Sequence, residues 1–270
     1  MIDEFTIYFT GEKLYGDDFS SDQIYEWFVD EAERFTNLGA KEKCQYSYGY
    51  HQLDQIHAFR FIRARRFNHA LGIGAAYGDE FKPIAGNIAR ITILEPSDTF
   101  SGVTEIFGIP CEYKRPSIIG DIEFESNHFD LITSLGVIHH IPNVSHVLAE
   151  CYRCLDAGGI MLLREPIASL GDWRKPRKGP TRRERGIPLR IMDNMIKNIG
   201  FKIIRRSLCN FSPIPAILNK LGLRIHTYNN MPLTVVDALL SKAFSWNNSY
   251  HRTRLYKKFA PSLAYYVLEK

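Results

Sequence analysis

His69-Ala70-Leu71-Gly72-Ile73-Gly74-Ala75-Ala76-Tyr77-Gly78-Asp79-Glu80 begins as a short apolar run and breaks into a turn of glycines and small residues. Glycine lets the backbone turn sharply and lets a ligand lie against it without a side-chain clash. A second apolar run, Arg90–Leu94, ends at Glu95, 21 residues after Gly74. A carboxylate there can accept hydrogen bonds from both hydroxyls of a ribose. Strand, glycine turn, helix, strand, acid predicts a nucleotide-type binding unit. Tyr77 stands three residues after Gly74, where a dinucleotide site expects glycine. Its bulk would crowd a pyrophosphate, so a cofactor without phosphates fits better.

Outward from this unit, short apolar runs alternate with helical stretches. The further runs are Cys111–Lys114, Phe129–Ser134, Gly159–Arg164 and Phe201–Arg205, with Leu263–Leu268 as a final strand. This rhythm predicts an α/β domain with a mostly parallel sheet covered on both faces. Residues 1–65 read instead as a helical cap or lid. Ser20-Ser21 with Gln23 opens a helix. Ile24, Trp27, Phe28, Phe35 and Leu38 recur at helical spacing before Gly39. A second helix is expected over His51–Arg65, and Tyr46, Tyr48, Tyr50 and His51 lie where the cap would meet a cofactor. The main domain then spans 66–270, with a basic segment at 164–190 and a helical insertion at 208–262.

The 270 residues are 45% hydrophobic and 24% charged, which excludes a disordered, collagen-like or simple coiled-coil chain. No apolar run is long enough to span a membrane. Met1–Thr10 has Asp3 and Glu4 and no basic region, so no signal peptide is expected. Cys44, Cys111, Cys151, Cys154 and Cys209 are too scattered for a disulfide framework, which makes a reducing, cytoplasmic setting the expectation. Cys151 and Cys154 share a helix without a second pair, and no metal site is expected. Net charge is +4, yet Arg164–Arg190 holds nine Lys/Arg against three acids. A local basic stretch in a folded domain suggests an anionic ligand rather than a nucleic-acid coat.

Several blocks, in order, resemble the class I S-adenosylmethionine-dependent methyltransferases. Ala70-Leu-Gly72-Ile-Gly74-Ala-Ala76 is similar to the family's acid-x-G-x-G-x-G turn, and Glu95 to its ribose acid. Ser117-Ile-Ile-Gly-Asp121 stands at the adenine loop, and Phe129–Pro142 looks like the fourth strand and the helix start after it. The resemblance covers about Phe67–Ser207 and the last strand. It implies a Rossmann-like, mostly parallel seven-stranded sheet with helices on both faces. It also implies S-adenosylmethionine held by Gly72, Gly74, Ala76, Glu95, Pro96, Ser117, Ile119, Asp121, Leu135 and Gly136. Alanine replaces the family's first acid at Ala70, its third glycine at Ala76 and a common proline at Ala157. Asp79, Glu80 or the N-terminal segment is left to grip the methionine amine.

Ligands of open α/β sheets sit beyond the carboxyl ends of the strands. The acceptor should therefore meet His139, His140 and Glu165, candidates for the base that removes a hydroxyl proton. Tyr50, His51, Arg164, Asp172, Trp173, Arg174 and Arg185 are candidate acceptor contacts: arginines for a phosphate or carboxylate, Trp173 for a sugar ring. The reading is an O-methyltransferase of a small or glycan-like anionic acceptor, similar to enzymes of bacterial surface-polysaccharide pathways, with no nucleic-acid partner. Its rivals are a nicotinamide-dependent oxidoreductase, a non-catalytic relative that has lost Ala70's acid, and an RNA methyltransferase.

Overall fold

Residues 5–39, 47–100, 102–175, 177, 181–223 and 225–270 are described by the computed structural model. Cys44, Tyr46 and the side chains of Phe35 and Leu38 lie outside them. The strands are β1 (Ala70–Ile73), β2 (Ile91–Leu94), β3 (Glu105–Ile106), β4 (Ile109–Lys114), β5 (Phe129–Leu135), β6 (Leu155–Pro166), β7 (Lys202–Phe211) and β8 (Pro261–Glu269). They form one sheet in the order β3-β4-β2-β1-β5-β6-β8-β7. The five central strands β4, β2, β1, β5 and β6 run parallel, whereas β8 runs antiparallel to both β6 and β7. The seven expected strands are joined by β3, a two-residue edge strand too short to leave a pattern in the sequence.

All four residues of β1 and of β2 are buried. Strands covered on both faces read as unbroken apolar runs, which is why these two were legible. Chain order reverses on either side of β1, which lies between β2 and β5. That reversal opens a crevice at the carboxyl ends of these strands, the place where such sheets bind ligands. One apolar cluster packs Leu71, Ile132 and Met161 beneath the helices α2 (Val144–Cys154) and α3 (Leu189–Ile199). The other packs Ile91, Ile93 and Phe81 under the cap residues Leu53, Phe59 and Ile62.

Three expectations are corrected. The segment after the glycine turn, Asp79–Asn87, winds as 3-10 turns rather than an α-helix, with Pro83 inside. Proline has no N–H to give an α-helical bond. The expected helix 51–65 is His51–Asp54 followed by a π turn, Gln55–Phe59, and a last turn, Arg60–Ile62. The insertion begins later than 208, because β7 continues to Phe211 before α4 (Pro213–Lys220) and α5 (Met231–Ala243). Upstream of β1, the cap carries α1 (Ser21–Gly39), opened by reciprocal bonds between Ser20 and Gln23.

Candidate functional site

A cavity of about 440 Å³ lies in the crevice, within the size range of small-molecule sites. One wall begins with the glycine turn. Gly74 has φ +61, and a Cβ there would come within 2.7 Å of Val137. Ala76, at the family's third glycine position, also sits at positive φ, +47, a conformation that L-residues adopt at a cost. Its N–H donates to Glu95 Oε2 at 3.2 Å and its carbonyl accepts from the Tyr113 hydroxyl at 2.7 Å. Burial raises the Glu95 carboxyl above its ordinary value, against the Ala76 and Ser97 amides that lower it. Tyr77 packs edge-on against Phe100.

Gly74, Ala76, Glu95, Pro96, Ser117, Asp121, Leu135 and Gly136 all line the cavity. Gly72 does not. It packs beneath, where a Cβ would meet Ala75 at 2.8 Å and Phe81 at 3.1 Å. Ile119 gives way to its neighbour Ile118 at the wall, its carbonyl accepting from Asn143 Nδ2 at 2.6 Å.

Below the turn lies a buried polar group. Arg164 Nη1 donates to Asp54 Oδ1 at 2.6 Å, Arg164 Nη2 to the Leu135 carbonyl at 3.0 Å, and the Tyr48 hydroxyl to Asp54 Oδ2 at 2.6 Å. The guanidinium lies 4.1 Å from the centre of the Tyr50 ring, which stacks on Tyr228. Glu80 lines the cavity beside them, almost wholly buried, and its Oε1 has no hydrogen-bond partner among the described residues. Burial, helped by the charge of Asp54, raises its carboxyl to about 7, while the Thr133 hydroxyl and Arg164 pull the other way. Such a group calls for a donor, and a cationic one best of all.

At the far end, His140 Nδ1 lies 3.0 Å from Glu31 Oε2 of α1, and both line the cavity with Trp27, Phe28 and Thr181. Burial, and then the charge of neighbouring His139, lowers the His140 imidazole, while Glu31 and Glu184 oppose the shift. His140 is therefore neutral near pH 7, and Glu31 fixes which ring nitrogen carries the proton. The Trp27 indole N–H donates to the His140 carbonyl at 2.7 Å.

His139 and Glu165 do not line the cavity. Glu165 is fully buried and accepts from the amides of Val137, Ile138 and His139 at 3.0, 3.1 and 3.4 Å and from His139 Nδ1 at 2.7 Å. It caps the turn that carries the histidines. Burial alone would lower His139, but Glu165 and then Glu184 raise it to about 9. A group protonated at neutral pH cannot serve as a base. Ligand atoms of His139, His140 and Glu184 come within 4.8 Å of one another, but the His139 proton already balances that charge.

The basic segment is also corrected. Arg185 is fully buried and donates to the carbonyls of Tyr15, His139 and Pro142 at 2.9, 2.6 and 2.9 Å. Arg183 pairs with Asp30 at 2.6 Å, Arg174 with Asp172, and Arg177 donates to the carbonyls of Leu170, Thr181 and Glu184. Trp173 is buried against Phe9. His51, Asp172, Trp173, Arg174 and Arg185 are thus off the cavity wall, and of the expected acceptor contacts only Tyr50 and Arg164 are on it. Glu31 went unnoticed although it follows Ile24, Trp27 and Phe28 on the apolar stripe of α1, where an acid signals a buried role.

Residues 71–163 match the family model of a methyltransferase domain. That stretch, from β1 into β6, is a methyltransferase domain. A ubiquinone biosynthesis O-methyltransferase of Burkholderia vietnamiensis is 24% identical over 136 residues, 49% of this chain and 57% of that protein. The chain spans about half the length of the curated relatives it matches. Among solved structures, 1,6-didemethyltoxoflavin-N1-methyltransferase of Burkholderia thailandensis, with 1,6-didemethyltoxoflavin and S-adenosylhomocysteine bound, is 10% identical. Its TM-score is 0.54, over 93% of this chain and 91% of that one. The [4+2]-cyclase SpnF is 14% identical with TM-score 0.54, over 95% of this chain and 98% of its own. At these identities the structural likeness concerns the fold.

Proposed function

We propose that this protein transfers the methyl group of S-adenosylmethionine to a hydroxyl oxygen of a small, largely apolar acceptor. One observation carries this reading: a single cavity joins the Gly74–Glu95 cradle to the Glu31–His140 pair. The residues present suit the cofactor. Glu95 offers a carboxylate for the ribose, Gly74 leaves no room for a side chain, and Glu80 offers an unpaired acceptor for an ammonium group. Bound there, the cofactor supplies an electrophilic methyl on a sulfonium.

The chain's own residues then orient and deprotonate the acceptor. His140, neutral and fixed by Glu31, accepts the hydroxyl proton as the oxygen becomes nucleophilic. Trp27, Phe28 and Tyr50 hold an apolar body and exclude water. The ubiquinone biosynthesis relatives act on oxygen by name, which supports the atom chosen. An anionic glycan of a surface-polysaccharide pathway is less well served, because Arg164 alone of the expected arginines lines the cavity and Asp54 already pairs with it.

Calorimetric titration with S-adenosylhomocysteine beside NADH tests the cofactor, and transfer of labelled methyl to hydroxylated aromatic acceptors tests the reaction. Stoichiometric binding of S-adenosylhomocysteine alone is expected. Binding of NADH alone would replace this reading with an oxidoreductase.

A further inference from the structure

We propose that the outer face of the 213–259 insertion docks the protein onto a membrane surface containing anionic lipid. Helix α5 is built inside out. Its fully buried positions are Thr234, Asp237 and Ser241, while Met231, Val235, Val236 and Leu239 face solvent. The inward polar face is satisfied. Asp237 accepts from the amides of Asn210 and Phe211 at 2.9 and 2.6 Å, and the Thr234 hydroxyl donates to the Asn230 carbonyl at 2.8 Å. Nothing among the described residues covers the outward face, and α4 has no buried residue at all.

The surrounding surface continues the pattern. Leu221 is 66% exposed, Leu239 64%, Leu255 74% and Trp246 77%. Asn247 Nδ2 donates to the carbonyls of Tyr256 and Phe259 at 2.7 and 3.0 Å, which pins the Leu255–Phe259 turn beside Trp246. Of the twenty exposed large hydrophobic residues among those described, twelve fall between Ile217 and Phe259. Apolar patches of this extent on a soluble chain mark interaction surfaces.

Charge selects the occupant. Residues 212–260 contain seven Lys/Arg and one acid, Asp237, which is buried. Lys220, Lys242, Arg254 and Lys258 are exposed around the apolar side chains. Lys242 shares the stripe of Met231, Val235 and Leu239 on α5. A second copy of this chain would bring like charge against like charge across a two-fold interface. An interface of anionic headgroups answers both features, since it takes aromatic and aliphatic side chains at the acyl boundary and attracts lysine and arginine. No helix among the described residues is long and apolar enough to cross a membrane, so the contact is peripheral.

Flotation of the full chain with vesicles of phosphatidylcholine, alone or mixed with phosphatidylglycerol, tests the proposal. Binding is expected to the mixed vesicles, with weakening by salt. Trp27 and Trp173 are buried, so quenching by brominated lipid reads Trp246. Lys242→Gln with Lys258→Gln should weaken binding roughly fivefold per charge. Leu239→Ser with Trp246→Ser should abolish it while leaving melting and S-adenosylhomocysteine affinity unchanged. Failure to float with mixed vesicles, or indifference to both variant pairs, overturns the proposal. So does a dimer in sedimentation that dissociates in the Leu239→Ser, Trp246→Ser variant, which would make the occupant a second copy.

Discussion

Replacing Glu80 by Gln should make the protein more stable and its cofactor pocket worse. The carboxyl stands at about 7 in the fold against 4.5 for an ordinary glutamate. The folded state therefore holds this proton more tightly than the unfolded chain does. Stability falls as pH rises from 4.5 to 7, and above that the deficit is about 3 kcal/mol. Glu80→Gln removes the deficit, so the variant should melt higher than wild type at pH 8 and alike near pH 4. Binding should change in the opposite sense. A charge-assisted hydrogen bond contributes roughly 1.5–3 kcal/mol, so S-adenosylhomocysteine should bind on the order of tenfold to a hundredfold more weakly. 5′-Methylthioadenosine, which lacks the amino-acid tail, should bind wild type and variant equally. Wild-type affinity for S-adenosylhomocysteine should tighten roughly tenfold from pH 6 to pH 8 as Glu80 ionises, and that dependence should vanish in the variant. Titration calorimetry on both ligands at three pH values reads the binding arms, and thermal melts at pH 4 and pH 8 read the stability arm. An equal loss for the two ligands would refute the ammonium assignment while leaving the cofactor in place.

Other outcomes follow from the same geometry. His140→Asn should lower kcat by roughly 10²–10⁴ without changing cofactor affinity, as expected for loss of a general base. Glu31→Gln should keep part of the activity and move the acid limb of the kcat profile to lower pH, because Glu31 is one of the groups that raise the His140 imidazole. Ala76→Gly should relieve the positive φ at that position and stabilise by about 1 kcal/mol, a rise of a few degrees in Tm on calorimetric scanning. Arg185→Met should leave three carbonyls without their donor and destabilise by upward of roughly 3 kcal/mol in urea titration.

Sequence reading succeeded where burial was two-sided and local. β1, β2 and β5 are short apolar runs between turns, and the runs Arg90–Leu94 and Phe129–Ser134 end within one residue of the observed β2 and β5. That Gly74 and Glu95 fall on one cavity wall follows from the same local pattern, since both lie at fixed spacing inside one strand–turn–strand unit. It failed where a side chain's role depends on what folds against it. Glu165 looked like a base, yet three backbone amides claim its oxygens. The arginines of 164–190 looked like a ligand grip, yet Arg183 and Arg185 bind parts of the chain more than 150 residues away in sequence. The basic surplus of 212–260 is as large as that of 164–190 and passed unremarked, because helical spacing alone does not tell an inward face from an outward one.

The Glu31–His140 pair joins residues 109 positions apart, one on the N-terminal cap and one on the strand-following turn. The wall proposed for the cofactor, by contrast, comes almost entirely from the continuous stretch 70–136. The two halves can therefore diverge separately. A recombined or mutated cap would bring a new acceptor wall and a new partner for the histidine, while the nucleotide end kept its sequence. A graft of α1 between relatives of this fold should exchange acceptor preference and proton-transfer chemistry together, as a single heritable unit.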